Sequence, residues 1–259
     1  AGRDLGGHTF AVRARRVGEH AAALSLSTLE RRAGAALGKS GRVDLAHPEV
    51  EVRVVIAAQA HVGRLLAGVD RPSFEARAVK NRPFFSPVSL HPRFARALAN
   101  LARVRRGERV LDPFCGTGGV ALECGLVGAR VFAGDIDGRM VAGTRETLVH
   151  YGVQGGVVED RDVGEAPEFA PGVDAIVTDP PYGRASMTAR EDIEALYARF
   201  FAAAQAALRS GGRLATVLPE PALVALGARR LALEAEFPYK VHGSLTRRFV
   251  LYRKPHLEG

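Results

Sequence analysis

The stretch Asp179-Pro180-Pro181-Tyr182-Gly183 brings a carboxylate, a constrained backbone carbonyl and an aromatic ring together within five residues. It follows an apolar run, residues 173–179, that reads as a strand. This set suits one kind of chemistry. An exocyclic amine on a nucleic-acid base is a poor nucleophile, because its lone pair is delocalised into the ring. Two acceptors aimed at its two hydrogens favour a pyramidal nitrogen whose lone pair can attack an activated methyl group. The Asp179 carboxylate offers one acceptor and the Pro180 carbonyl the other. Consecutive prolines restrict the backbone, so that carbonyl is held before a substrate arrives. Tyr182 can stack on a flipped base. Asp179 can take the released proton or pass it to water. In-line approach and desolvation would matter more here than strong base catalysis. The plainer alternative is a tight proline turn around a buried tyrosine.

A second motif, Asp112-Pro113-Phe114-Cys115-Gly116-Thr117-Gly118-Gly119, sits between a strand pattern and a helix pattern. Ligands bind at the carboxyl ends of parallel strands, where glycine-rich backbone can approach them. The motif lacks the Gly-Lys-Ser/Thr of a phosphate loop and the third glycine of a nicotinamide fingerprint. The cofactor expected is S-adenosylmethionine, bound by Asp112, Pro113, Cys115, Gly116 and Gly118, with Asp179 at the edge of the same pocket. About 20 residues further on, Gly134-Asp135-Ile136-Asp137 supplies an acid for a ribose diol in Asp135 and an apolar surface for adenine in Ile136. Asp137 reads as the N-cap of the next helix. A third acid, to accept from the adenine amino group, is Asp162 or Asp160; the loop run-out to Pro167 favours Asp162.

These motifs need a scaffold, and the patterning supplies one. Strands are predicted at residues 109–114, 130–136, 156–159, 173–179 and 213–218, with helices at 92–104, 118–127, 138–151 and 189–209. Single helices between strands imply a parallel sheet with right-handed crossovers. The tail differs: residues 235–242 and 247–253 read as an antiparallel pair about Gly243-Ser244. The fold class expected is α/β, a class I Rossmann-like methyltransferase. It would have a seven-stranded, mostly parallel sheet ending in an antiparallel hairpin, preceded by a small α+β segment. That segment has strand-like runs at 9–13 and 51–57 and a helix at 27–37 capped by Ser27. Residues 1–70 form it, 71–92 read as an extended Pro- and aromatic-rich linker, and 93–259 form the main domain.

Charge is unevenly distributed. Residues 1–106 hold 19 basic and 8 acidic side chains, whereas residues 107–259 hold 17 and 20, so the net +8 arises in the front. Only four of the 36 basic residues are Lys, which a GC-rich genome explains, but that bias does not explain the asymmetry. A basic front on a near-neutral rear suits an enzyme that handles a polyanion. The 47% hydrophobic and 25% charged composition is that of an ordinary globular chain. No apolar run is long enough to span a membrane, and residues 1–10 lack a signal-peptide core. Two cysteines, Cys115 and Cys124, without a Cys/His cluster point to no metal, no disulfide framework and a cytoplasmic setting.

Together, DPFCGTGG, GDID, DPPYG and Val241-His242-Gly243-Ser244-Leu245-Thr246-Arg247 resemble the archaeal tRNA guanine-N2 methyltransferases that act at tRNA position 10, and their eukaryotic relative. The resemblance runs from about Phe10 to Lys254 and includes Arg82-Pro83-Phe84-Phe85-Ser86-Pro87 and the stretch 92–101. It implies tRNA as partner, Asp179, Pro180 and Tyr182 as catalytic residues, and Gly116, Gly118 and Asp135 as cofactor ligands. The front resembles the later part of an RNA-binding THUMP module, through residues 10–18 and Val43-Asp44-Leu45, with that family's N-terminal ferredoxin-like portion not matched. Arg13, Arg15, Arg16 and Arg247 become candidate RNA contacts. Rival readings are an rRNA or DNA amino-methylase, since DPPY is shared with those enzymes, and a non-catalytic RNA-binding subunit with a relic methyltransferase fold. Intact DPPY and glycine motifs weigh against a relic, and Asp at 179 weighs against the Asn-Pro-Pro-Tyr protein-glutamine methylases.

Overall fold

The computed structural model describes residues 5–86, 89–181, 192–242 and 245–256. The chain divides into two units, Ala1–Asp70 and Arg71–Gly259.

The front unit contains β1 (Thr9–Arg16), α1 (Leu26–Leu37), β2 (Arg42–Val43), β3 (Val50–Ile56) and β4 (Ala60–Arg64). They form one sheet, β2-β1-β3-β4, with β1 parallel to both neighbours and β3–β4 an antiparallel hairpin. Alternate residues Val50, Val52, Val54 and Ile56 turn to one face with Phe10 and Val12, and Leu26, Leu29, Ala33 and Leu37 of α1 cover them. That spacing is a single helical stripe. The α1 cap is Ser25 rather than Ser27: its Oγ accepts from the Thr28 amide at 3.3 Å, while the Ser27 hydroxyl bonds Ser25 Oγ at 3.0 Å. Alternation places Arg13, Arg15 and Arg53 on the opposite sheet face.

The second unit opens with α2 (Arg71–Ala76), a 3₁₀ turn (Val79–Asn81) and α3 (Pro92–Leu101). The segment read as an extended linker therefore starts with a short helix. Its Pro72 sits in the first turn, where a missing amide hydrogen costs nothing. There follow β5 (Arg109–Asp112), α4 (Gly119–Val127), β6 (Arg130–Asp135), α5 (Gly138–His150) and β7 (Val157–Asp160). Beyond a 3₁₀ turn (Val163–Glu165) come α6 (Ala166–Phe169), β8 (Val173–Thr178), α7 (Ile193–Ala207), β9 (Leu208–Leu218) and α8 (Pro221–Ala228). The final pair is β10 (Ala232–His242) and β11 (Leu245–Arg253).

The sheet order is β10-β11-β9-β8-β5-β6-β7. β9-β8-β5-β6-β7 are parallel, and β10 and β11 are antiparallel, as the pattern predicts. β5 and β8 are neighbours, with β6 and β7 running one way from them and β9 the other, so the order reverses there. Crevices at such a reversal bind ligands. One core lies beneath α3, α4 and α5, built around Leu98, Leu122, Val131 and Leu148. The other lies beneath α7 and α8, around Ile176, Phe200, Phe201 and Tyr252.

Candidate active site

The carboxyl ends of β5, β6, β7 and β8 carry Asp112, Asp135, Asp160 and Thr178-Asp179 along one edge of the sheet. Asp112 is 2% exposed. Thr178 Oγ1 donates to its Oδ1 at 2.7 Å, and its Oδ2 has no hydrogen-bond partner among the described residues. Burial pushes this carboxyl up to about 7, against the pull of the Thr178 hydrogen bond, and Asp135 and Asp179 nearby add to the rise. A buried carboxylate oxygen with no donor calls for a cation or a donor from a ligand.

The loop after β5 is shaped by two left-handed glycines, Gly116 (φ 49°) and Gly118 (φ 77°). A Cβ on Gly118 would lie 3.0–3.2 Å from Thr144, whereas one on Gly116 would meet nothing within 4 Å. The loop is thus pressed against α5 on one side and open on the other. Thr144 Oγ1 donates to the Gly116 carbonyl at 2.8 Å. Asp135 Oδ2 accepts from the Gly116 amide at 2.9 Å and its Oδ1 from the Asp137 amide at 3.0 Å, which fixes the carboxylate beside the loop. Burial raises the Asp135 pKa. Pro113 and Cys115 are buried, and the Cys115 side chain packs in the core beneath α4. Burial holds that thiol well above its usual range, so it stays protonated and only its backbone borders the loop. Ile136 is 77% exposed at the same edge. Asp137 caps α5, accepting from the Arg139 amide at 2.9 Å.

Asp162 is occupied. Its carboxylate caps the following 3₁₀ turn through the Gly164 amide at 2.8 Å and pairs with Arg199 at 2.5 and 3.2 Å, and Arg199 lowers its pKa. Asp160 lies opposite Asp135 in the β6–β7 register. Its carboxylate oxygens stand 3.3–3.4 Å from where a Gly138 Cβ would be, at the start of α5.

At β8, Asp179 is half-buried and Pro180 buried. The hydroxyl of Tyr197, a fully buried residue of α7, donates to the Pro181 carbonyl at 3.3 Å. Tyr182 lies outside the described residues. In the front unit Arg15 is exposed, and Arg13 donates to the Leu45 carbonyl at 2.7 Å. Arg16 points to the helix-covered face and holds its own loop, donating to the Ala21 and Leu24 carbonyls at 3.1 and 2.6 Å. Arg247 sits on β11, across from Tyr239.

Motif spacing did not reveal several supports. Ser89 and Thr117 share a hydroxyl hydrogen bond of 2.7 Å, tying the segment before α3 to the glycine loop. Glu123, fully buried on α4, pairs with Arg77 at 2.8 Å and Arg96 at 2.9 Å. The Arg82 guanidinium is buried against Gly119, and Phe84 covers Gly143. One signal existed for Glu123: a lone acid in the apolar run 120–127. Tyr197 gave none, since its helical spacing with Phe200 and Phe201 reads only as core. Among the described residues no group of three or more His, Cys, Asp or Glu is placed to hold a metal ion, and no helix is long and apolar enough to cross a membrane.

Comparison with known proteins agrees with this arrangement. Residues 80–248 match the UPF0020 family, described as RMKL-like, methyltransferase domain. The tRNA (guanine(10)-N2)-dimethyltransferase of Methanothermobacter thermautotrophicus is 40% identical over 243 residues, covering 92% of this chain and 71% of the relative. The tRNA (guanine(6)-N2)-methyltransferase of Thermus thermophilus is 37% identical over 228 residues, covering 85% of this chain and 64% of the relative. The crystal structure of TrmN from Thermus thermophilus superposes with a TM-score of 0.58 at 33% identity, covering 96% of this chain and 73% of that one. The chain therefore belongs to the UPF0020 family of RMKL-like methyltransferase domains, and to the family of the archaeal tRNA (guanine(10)-N2)-dimethyltransferases.

Proposed function

We propose that this methyltransferase carries the methyl group of S-adenosylmethionine to the exocyclic N2 of a guanine in tRNA, at position 10. The observation that carries the reading is the meeting of Asp112, with its buried unpartnered Oδ2, and Asp179-Pro180-Pro181 on adjacent strand ends at the reversal of strand order. The relatives' substrates support the choice of tRNA.

The residues fit the cofactor. Asp112 Oδ2 suits its ammonium group, the open side of Gly116 admits its backbone-contacting portion, Asp135 suits the ribose diol and Ile136 the adenine face. Pro113, Cys115 and Gly118 shape the loop. Of the two candidates for the adenine amino group, Asp160 is favoured by the engagement of Asp162 with Gly164 and Arg199. Asp160→Ala should raise the cofactor Kd, and Asp162→Ala should instead lower the melting temperature; the opposite pattern would return the role to Asp162.

When bound, the cofactor supplies a methyl group already activated on sulfonium sulfur. The chain's own residues prepare the amine. The Asp179 carboxylate and the Pro180 carbonyl accept its two hydrogens and turn the nitrogen lone pair toward the methyl. Tyr197 holds the Pro181 carbonyl, so the turn is set in advance. Tyr182 stacks on the flipped base. After transfer, Asp179 takes the surplus proton from nitrogen and releases it to water. The front unit would hold tRNA as a THUMP-like segment, through Arg13 and Arg15 on its open sheet face, and Arg247 would act near the catalytic edge. Such a role would suit a cytoplasmic protein.

The test is transfer of labelled methyl to an unmodified tRNA transcript, with digestion to nucleosides. Wild type should yield N2-methylated guanosine, and Asp179→Ala should yield none while still binding cofactor. Full activity in Asp179→Ala would remove that residue from the mechanism. The Thermus thermophilus relative supports a second reading, guanine 6 as the target.

A further inference from the structure

β10 is the edge strand of the catalytic sheet, and its outer residues are aromatic. The register pairs Tyr239 with Arg247 and Phe237 with Phe249, which places these four side chains on one face. Phe94, in the first turn of α3, joins them, with ring centroids 5.0 Å from Tyr239 and 5.6 Å from Phe249. Yet Phe237 is 51% exposed and Tyr239 44% exposed. Cations flank the rings. Arg247 lies across from Tyr239, and exposed Arg93 stacks over Phe94 at 5.1 Å with no ion-pair partner among the described residues. The nearby acids are engaged: Glu236 with Arg248 on the opposite face, and Glu75 with His91 at 3.2 Å.

The position of this face is set by the sheet. Thr178 of β8 pairs with Thr216 of β9, and Thr216 with Val250 of β11. Tyr239 and Arg247 therefore project past the level of Asp179 on the same edge. They are two to three strand spacings to the side, roughly 10–15 Å away. At about 3.4 Å per stacked nucleotide, that is within a few nucleotides of a base held at Asp179. We propose that Phe237 and Tyr239, flanked by Arg93 and Arg247, form a stacking platform for the nucleotides that flank the target guanine.

The chemistry favours RNA over a protein strand. Flat rings between cations suit unstacked bases and their phosphates. Pro238 lies between the two rings and removes an amide donor, which blunts the edge for strand addition. The inference rests on the tRNA reading, and the experiment separates the two. Wild type, Phe237→Ala, Tyr239→Ala and Tyr239→Phe are compared in methyl transfer to an unmodified tRNA transcript, with cofactor binding, thermal melting and sedimentation measured alongside. Each Ala variant should raise the KM for tRNA about tenfold with cofactor Kd unchanged, and Tyr239→Phe should stay near wild type. Phe237 makes no ring contact among the described residues, so its variant should melt like wild type and guards against misfolding. An active wild type whose Ala variants keep the same tRNA KM would overturn the platform alone. A dimer lost in those variants with unchanged KM would also overturn it and assign the face to a second copy. A wild type that methylates no tRNA would overturn the substrate reading and the platform with it.

Discussion

At the scale of single residues, the acids divide by their surroundings. Asp112 is buried and lacks a partner for Oδ2, so its carboxyl titrates near 7. Asp162 is paired with Arg199 and held below its ordinary range. The consequence for Asp112 has a definite sign. Its folded pKa lies above its ordinary value of 3.8, so stability is fully present below about pH 4. Stability then falls as pH rises to about 7 and levels off beyond, by at most about 4 kcal/mol. Asp112→Asn keeps an acceptor for Thr178 Oγ1 but removes the ionisation. Melting of the ligand-free protein should therefore fall less between about pH 5 and pH 8 in Asp112→Asn than in wild type, and the variant should bind cofactor more weakly. Equal slopes in the two proteins would show that Asp112 does not titrate there. The carboxylates could be read from sequence because each ends a strand inside a short motif. The pairing of Asp162 with Arg199 could not, because the two lie 37 residues apart. Arg16 is a similar case: its sequence places it in a basic run, and only the folded loop shows it bonded to Ala21 and Leu24.

At the scale of elements, the glycine loop works because it is held from several sides. Thr144 of α5 fixes its carbonyl, Asp135 of β6 fixes its amide, and Ser89 fixes Thr117. Gly118 stands where a Cβ would need both a left-handed backbone and room that Thr144 occupies. Gly118→Ala should cost about 1–3 kcal/mol in strain and raise the cofactor Kd by tenfold or more. Calorimetric titration would check this, and unchanged affinity would mean that the loop does not border the cofactor. The strand-and-helix alternation was legible because apolar periods differ between the two. The short α2, α6 and α8 were not: α2 and α6 span six and four residues, and α8 (PALVALGA) is apolar on every side, so no period marks it. The Arg77–Glu123–Arg96 cluster joins residues 27 and 46 apart in sequence. Only the fold brings them together, laying the segment before α3 along α4.

At the scale of the whole molecule, the net charge is shared between the two units: residues 1–70 hold 10 basic and 7 acidic side chains, and residues 71–259 hold 26 and 21. The front unit covers one sheet face with α1 and leaves Arg13, Arg15 and Arg53 on the other. The second unit places Asp112, Asp135 and Asp179 at strand ends, where a cationic cofactor and an amine substrate would meet them, with Arg93 of α3 and Arg247 of β11 to one side. Phosphates of a bound tRNA would find cations in both units. The central claim is transfer to guanine N2 at tRNA position 10. It is tested most directly by labelled methyl transfer to three unmodified transcripts: the native sequence, one with guanine 10 changed to adenine, and one with guanine 6 changed to adenine. Label that vanishes only with the change at position 10 is the predicted result. Label that survives that change, whether it depends on guanine 6 or on neither, would contradict the account.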